Sequence, residues 1–116
     1  LLDNLPAMVY QSELRREGIF LYVSQGAKDV CGYTPEELTG NKRRKWFDCI
    51  HPDDRDRVWE IVHRCIENDE VFKIGYRIID KGGRLVRLHE EGRAVRDAKG
   101  RLEFLEGIIT KTDSAE

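Results

Sequence analysis

From residue 71 onward, apolar and polar positions alternate in the pattern of a three-stranded antiparallel meander. The predicted strands are residues 71–80, 84–96 and 101–112. Gly82-Gly83 and Gly100 lie in the two intervening turns, where glycine takes the left-handed backbone conformation that tight hairpins need. Side chains alternate between the faces of a strand, so one face, called here the inner face, collects the apolar positions. Its members are Phe72, Ile74, Tyr76, Ile78, Val86, Leu88, Glu90, Gly92, Ala94, Leu105, Gly107 and Ile109.

The third strand is apolar on both of its faces and must therefore be covered twice. We call its outward-facing apolar residues, together with two neighbours, the outer patch: Leu85, Leu102, Phe104 and Ile108. An uncovered apolar patch usually marks a partner surface, and twofold dimers are the commonest assembly. We expect a homodimer through the outer patch; the alternative cover is an N-terminal helix of which Leu1-Leu2 is the end.

Several short elements precede the meander. Two strands are predicted over residues 8–13 and 19–24, around a charged turn. Ser24 is a candidate cap for a short helix that ends at Gly32. Residues 34–37, Thr-Pro-Glu-Glu, form a capping box for a second short helix that stops at Gly40. An irregular stretch containing Trp46-Phe47 is predicted to follow.

One long helix is predicted to begin at Pro52, with two carboxylates in its first turn. Asn68 is a plausible left-handed stop. Apolar residues recur at helical spacing and form one stripe: Val58, Ile61, Val62, Cys65 and Ile66. Strands, short helices, a long helix and a final meander predict an α+β fold with one antiparallel sheet.

Composition narrows the functional classes. The 116 residues suit one domain, and the net charge of −2 gives no general bias towards nucleic acid or membrane surfaces. No run is long enough for a membrane helix and no signal-peptide pattern opens the chain, so we expect no membrane contact. The three cysteines are odd in number and widely spaced, which argues against disulfides and favours a reducing cytoplasm.

Five phrases, in this order and spacing, are similar to a PAS domain of bacterial sensor histidine kinases and diguanylate cyclases. They are Gly32-Tyr33-Thr34-Pro35-Glu36-Glu37-Leu38, Trp46 through Ile50-His51-Pro52-Asp53-Asp54-Arg55, Tyr76-Arg77-Ile78, Glu91-Gly92-Arg93-Ala94-Val95-Arg96-Asp97 and Leu105-Glu106-Gly107-Ile108-Ile109. The resemblance covers nearly the whole chain, as a single PAS domain over residues 1–116 with its late PAC portion at about 71–113. It implies a five-stranded antiparallel sheet whose one face is covered by short helices and one longer helix, enclosing a small cavity.

The resemblance also implies a function. We expect a non-catalytic sensory or signal-relay domain of a larger signalling protein, with a diguanylate cyclase or histidine kinase output domain in the same chain. The alternative is a ligand-free dimerisation module that controls this output. One departure concerns the phrase that ties the sheet to the outgoing helix and so couples the domain to its output. Where the family usually ends its last strand with Asp-Ile-Thr, this chain reads Lys111-Thr112-Asp113.

The implied cavity assigns candidate residues for binding an unknown small molecule. They are Val62, Cys65, Tyr76, Ile78, Leu88, Glu90 and Ile109. Glu90 is the one carboxylate on the inner face, and a buried carboxylate needs a partner. Either Glu90 pairs with an arginine or a backbone amide near the rim, or it serves with Tyr76 as the polar handle for a ligand.

Cofactors are not expected. Flavin-binding light sensors that resemble this family carry a cysteine shortly after the glycine that ends the second short helix, and residues 41–44 here are Asn-Lys-Arg-Arg. Haem-binding members use a histidine on the long helix, which makes His63 a weak candidate, since it lies at the edge of the apolar stripe. His51 belongs to the helix start and His89 to the outer face, without a second ligand at metal-like spacing.

Catalysis and nucleic-acid binding are also disfavoured. The sequence has no phosphate-cradling glycine loop, no nucleophile elbow and no His-Glu helix pair. Glu90 and Glu91 are adjacent and point to opposite faces. The basic run at residues 42–45 beside Trp46-Phe47 suits single-stranded nucleic acid, but a solvated loop explains it more simply.

Overall fold

The computed structural model describes residues 6–39 and 44–112, and within these ranges it contains five strands and four helices. In chain order they are β1 (Ala7–Ser12), β2 (Phe20–Val23), α1 (Ala27–Cys31), α2 (Pro35–Thr39), α3 (Trp46–Cys49), α4 (Pro52–Glu67), β3 (Phe72–Ile79), β4 (Leu85–Arg96) and β5 (Leu102–Lys111). The strands form one antiparallel sheet in the order β2-β1-β5-β4-β3. The predicted α+β fold with a five-stranded sheet is confirmed.

The register aligns the inner-face residues of neighbouring strands. Ile109 of β5 lies opposite Met8 of β1 on one side and Glu90 of β4 on the other, and Glu90 lies opposite Ile74 of β3. This row crosses four strands, and all four side chains are buried. The N-terminal strands thus join the C-terminal meander through β5, as the resemblance implies.

The helices cover the inner face and complete the core. On α4, Val58, Val62, Cys65 and Ile66 are buried, while Ile61 is half-buried and packs against the core. The predicted apolar stripe of the long helix therefore faces the sheet. None of the helices in the described ranges is long and apolar enough to cross a membrane.

The predicted helix ends are partly correct. Thr34 and Glu37 form the reciprocal capping box, with Glu37 N donating to Thr34 Oγ1 at 3.2 Å and Thr34 N donating to Glu37 Oε1 at 2.9 Å. Gly32 ends α1 with a φ of 82°. Ser24 does not cap α1: Gly26 is the N-cap, and the Ser24 hydroxyl accepts a hydrogen bond from Val9 N instead.

Two further predictions of local structure are wrong. Asn68 is not left-handed, since its φ is −102°; the chain turns at the next residue, Asp69, whose φ is 55°. Trp46-Phe47 is not irregular, because it opens the short helix α3, which the burial of Trp46 and Cys49 holds against the core. Some predictions concern residues outside the described ranges. These residues are Leu1-Leu2, Gly40, the first part of the basic run and Asp113.

The edge strand β3 is covered by the start of α4. His51 N donates to Arg77 O at 2.8 Å, Arg77 N donates to Asp54 Oδ2 at 2.9 Å, and the Arg57 guanidinium donates to Gly75 O at 2.9 Å. These contacts occupy backbone groups that an edge strand otherwise offers to other chains. This edge is therefore protected against strand pairing.

Protonation of Asp54 is expected to lower the stability of the fold at acid pH. It also accepts two hydrogen bonds from the Arg77 guanidinium, at 2.8 and 3.0 Å, and this partner lowers the Asp54 pKa from 3.8 to about 2. Because the Asp54 pKa is lower in the folded than in the unfolded protein, the ionised carboxylate stabilises the fold by about 2 kcal/mol at pH values above 3.8. This contribution is lost as the pH falls through the folded pKa.

The measurement is urea unfolding of the wild-type protein and Asp54→Asn across the acid range. We expect the variant to be less stable above pH 3.8, and the difference to shrink as the pH falls towards 2. Asp53→Asn, at an exposed neighbour, is the control and should follow the wild type. A constant difference at every pH would contradict the assigned role of the Asp54 charge.

Candidate functional site

A buried hydrogen-bond network surrounds Glu90 in the middle of the sheet. Only 8% of Glu90 is exposed. Tyr10 Oη donates to Glu90 Oε2, and Tyr76 Oη donates to Glu90 Oε1 at 2.5 Å. Trp46 Nε1 donates in turn to Tyr76 Oη at 2.9 Å. The network thus joins β1, β3, β4 and α3 through side chains that lie far apart in the sequence.

Two glycines make room for this network. Gly107 and Gly92 lie side by side on the inner face, between Tyr10 on β1 and Phe72 on β3. A Cβ on Gly107 would lie 2.8 Å from Tyr10 Oη and 2.4 Å from Glu91 O, and a Cβ on Gly92 would lie 2.7 Å from Tyr10 Oη. Because both positions lack a side chain, the Tyr10 hydroxyl reaches Glu90 across β5.

Burial sets the protonation of the three titrating groups. It raises the pKa of Glu90, and the hydrogen bonds from Tyr10 and Tyr76 oppose that rise. The pKa values of Tyr10 and Tyr76 are raised well above the usual tyrosine range, first by burial and then by the Glu90 carboxylate. Both tyrosines are therefore neutral hydrogen-bond donors at neutral pH.

Glu90 has an unusual set of partners. In the part of the chain that the structure describes, it accepts hydrogen bonds from the two tyrosines and forms no ion pair. Neither of the simple partners considered from the sequence, an arginine or a backbone amide, is present there. Both hydrogen bonds favour the ionised carboxylate, and neither neutral donor supplies a counter-charge.

A cavity of about 50 Å³ lies beside this network, between the sheet and the helices. Tyr10, Phe20 and Trp46 contribute neighbouring aromatic walls, with ring centroids 5.3 Å apart for Tyr10 and Phe20 and 5.4 Å apart for Phe20 and Trp46. The remaining lining residues are Ser12, Glu13, Arg15, Arg16, Gly18, Phe47, Ile50, Val58, Trp59, Val62, Glu90 and Leu105. This volume accommodates on the order of four water-sized groups.

The structure places the candidate ligand residues in two sets. Val62 and Glu90 line the cavity, and Tyr76 contacts Glu90. The others are buried in the surrounding core and are not among the lining residues: Cys65, Ile78, Leu88 and Ile109.

Sequence reasoning missed most of the residues that line the cavity, among them the aromatic wall of Tyr10, Phe20 and Trp46. Tyr10 follows the inward alternation of β1, with Met8, which was a usable signal. Phe20 and Trp46 carried no such signal, because they reach the cavity from a short strand and a short helix whose orientation the pattern does not fix.

The histidines lie elsewhere. His63 is exposed on α4 and packs beside Trp59, with ring centroids 5.4 Å apart, outside the cavity lining. His51 caps α4 by accepting a hydrogen bond from Asp53 N at 3.1 Å, and His89 is exposed on the outer face. No cluster of three metal-ligating side chains occurs among residues 6–39 and 44–112.

All three cysteines are buried with free thiols. Burial raises the pKa of the Cys31 thiol to about 11 and also raises that of Cys49. Because the thiolate is the reactive form, these two groups are poorly suited to nucleophilic chemistry at neutral pH.

The outer face of the sheet carries a second, shallower concavity. Leu85 is 50% exposed and Leu102 is 39% exposed, while Phe104 and Ile108 are half-buried. Ile108 also lines an open groove of about 450 Å³ with Val9 and Tyr22. The outer patch is thus solvent-accessible in a single copy of the chain.

Comparison with known proteins gives the family. A model of the PAS fold matches residues 20–109. The methyl sulfide methyltransferase-associated sensor of Methanosarcina acetivorans is 34% identical over 99 residues, which cover 82% of this chain and 10% of that sensor. The chain therefore spans about a tenth of the length of this relative.

Solved structures show the same fold. The N-terminal domain of a diguanylate cyclase with a PAS/PAC sensor from Marinobacter aquaeolei has a TM-score of 0.74 at 20% identity, covering 90% of this chain and 94% of that one. A sensory box histidine kinase/response regulator from Burkholderia thailandensis has a TM-score of 0.73 at 23% identity, covering 96% and 80%. With the sheet order, the helical cover and the family match over residues 20–109, the chain belongs to the PAS fold family.

Proposed function

We propose that this domain is a non-catalytic sensory or signal-relay module of a larger signalling protein, and that it binds a small ligand in the cavity beside Glu90. The observation that carries the proposal is a buried carboxylate that lines a cavity and is held only by neutral tyrosines among the described residues. An output domain in the same protein, of the diguanylate cyclase or histidine kinase class, is part of the proposal.

The energetics favour a functional role for this carboxylate. Burying a charge is costly even when hydrogen bonds surround it, and well-packed apolar residues at such places often give equal or greater stability. Glu90 occupies the central part of a long inner strand, where an apolar residue would match its neighbours Leu88 and Ile109. The charge at Glu90 is therefore better explained by ligand recognition than by folding.

The network offers a route from the cavity to the rest of the domain. Glu90 is linked to β1 through Tyr10, to β3 through Tyr76 and to α3 through Tyr76 and Trp46. A ligand that donates a hydrogen bond to the Glu90 carboxylate, or lies beside it, changes the packing of these elements against one another. In a two-state domain, such differential contact shifts the population towards the state that binds the ligand.

Native mass spectrometry of the purified domain tests the proposal. We expect a fraction of the protein to carry a small bound molecule, and this fraction to fall about tenfold in Glu90→Gln, because a hydrogen bond to a charged group is lost. Glu91→Gln is the matched control, since Glu91 is the adjacent residue on the opposite, exposed face. Folded protein that shows only the mass of the chain would contradict the ligand-binding function.

The exposed outer patch favours a second candidate function, a ligand-free dimerisation module. Phe104→Glu places a charge in the middle of that patch and is expected to reduce a sedimenting dimer to a monomer, because apolar association is lost. Glu103→Gln, at an exposed neighbouring position, is the control and should leave the mass unchanged. A wild-type protein that sediments as a monomer, or a variant that stays a dimer, would contradict an interface at this patch.

A further inference from the structure

We propose that the cavity beside Glu90 recognises a small nitrogen cation, namely ammonium or a short alkylammonium of up to about four heavy atoms. The inference rests on the proposed ligand-binding function and names the ligand class for that same cavity. Four features of the cavity support it: the Glu90 charge, the aromatic walls, the rim and the hydrogen-bond acceptors.

The first feature is the charge. Glu90 lines the cavity, and within the described part of the chain no lysine, arginine or histidine pairs with it. A cation in the cavity supplies this missing counter-charge at short range, where the low local dielectric makes the attraction strong. An anion is repelled, and a neutral molecule gains only a hydrogen bond.

The second feature is the aromatic wall. Phe20 packs between Tyr10 and Trp46, at centroid distances of 5.3 and 5.4 Å, and all three residues line the cavity. The negative faces of aromatic rings attract ammonium groups, most strongly where water is excluded. Since these residues are 3–5% exposed, the wall is well shielded from solvent.

The third feature is the rim, which carries two arginines, and an arginine without a partner repels a cation. Arg15 is paired with Glu13, and Arg16 is paired with Asp56 while its guanidinium lies 4.7 Å from the Phe47 ring centroid. Each rim arginine thus has its own carboxylate. The net charge at the cavity is therefore set by Glu90.

The fourth feature is the supply of acceptors. Besides the Glu90 carboxylate, the Tyr10 and Ser12 hydroxyl oxygens belong to residues that line the cavity, and each has lone pairs that accept N–H bonds. Ser12 is 4% exposed. A cavity of about 50 Å³ with these acceptors suits an ammonium head and one short alkyl group.

A pair of probes of equal shape tests the proposal. Isopropylammonium and isopropanol differ only in replacing a charged –NH₃⁺ by a neutral –OH. Binding of each is measured by calorimetric titration at neutral pH, in sodium phosphate at constant ionic strength, with wild-type protein, Glu90→Gln and the control Glu91→Gln. We expect isopropylammonium to bind about tenfold or more tightly than isopropanol to the wild type and the control, and this preference to vanish in Glu90→Gln.

The outcomes are distinct for the two proposals. Equal affinity for the two probes, tighter binding of isopropanol, or binding of neither probe to the folded wild type overturns the cation inference. A retained preference in Glu90→Gln overturns it as well, because the recognition then lies elsewhere. The wild-type comparison decides the question even if Glu90→Gln fails to fold. The ligand-binding function itself is tested separately, by whether native mass spectrometry detects a bound small molecule.

Discussion

Replacing Val62 by aspartate is expected to destabilise the domain strongly. Val62 is 7% exposed on the sheet-facing side of α4 and lines the same cavity as Glu90. The new carboxylate would be buried without a cation and near a second carboxylate, which costs roughly 3–5 kcal/mol. Small domains have only about 5–15 kcal/mol of stability, so a substantial part of it would be lost.

The measurement is the free energy of unfolding from urea titration, followed by circular dichroism. His63→Asp is the control, because it adds the same residue one position later on the exposed side of the same helix. We expect this control to lose less than about 1 kcal/mol. Similar losses for both variants would mean that the charge is not forced into the core at position 62.

Substituting Gly107 by alanine is expected to be the second most damaging change. Its Cβ would lie 2.4 Å from Glu91 O and 2.9 Å from Gly92 Cα, both backbone atoms of the neighbouring strand, and 2.8 Å from Tyr10 Oη. Backbone in the centre of a sheet cannot move away easily, so β5 must shift relative to β4. We expect a loss of about 3 kcal/mol, together with a weakened Tyr10–Glu90 hydrogen bond.

Gly75→Ala provides the matched control. Gly75 is also a strand glycine, but its Cβ would meet only Leu88 O, at an ordinary contact distance of 3.7 Å. The free energy of unfolding of the control should lie within about 0.5 kcal/mol of the wild-type value. If the two alanine variants had equal stability, the close approach of Tyr10, Gly107 and Gly92 would not be needed for the fold.

The sequence by itself determined the strands, the long helix and the face that each buries. This was possible because these properties depend on local periodicity: alternation places Ile74, Leu88 and Ile109 on one side of a strand whatever the rest of the chain does. The Thr34–Glu37 capping box and the left-handed Gly100 are also local, since their geometry is fixed within a few residues. Glu90 was identifiable for the same reason, as a carboxylate on an apolar face.

Local signals misled where a longer-range contact competed with them. Ser24 has the residue type of a helix cap, but its hydroxyl serves the backbone of β1, a contact across fifteen positions that only strand pairing creates. Trp46 was assigned to an irregular stretch together with the four basic residues that precede it, whereas its packing on Phe20 and its hydrogen bond to Tyr76 hold it in a helix. In both places tertiary contacts outweighed the local preference.

Only the tertiary structure decided what surrounds Glu90. Tyr10 and Tyr76 lie 80 and 14 positions from Glu90, and their hydroxyls meet its carboxylate because β1 pairs with β5 and two glycines clear the space between them. Whether a buried carboxylate is neutralised by an arginine or held by neutral tyrosines depends on these distant pairings. Periodicity determines the face on which a side chain lies, and the sheet register determines which groups it meets there.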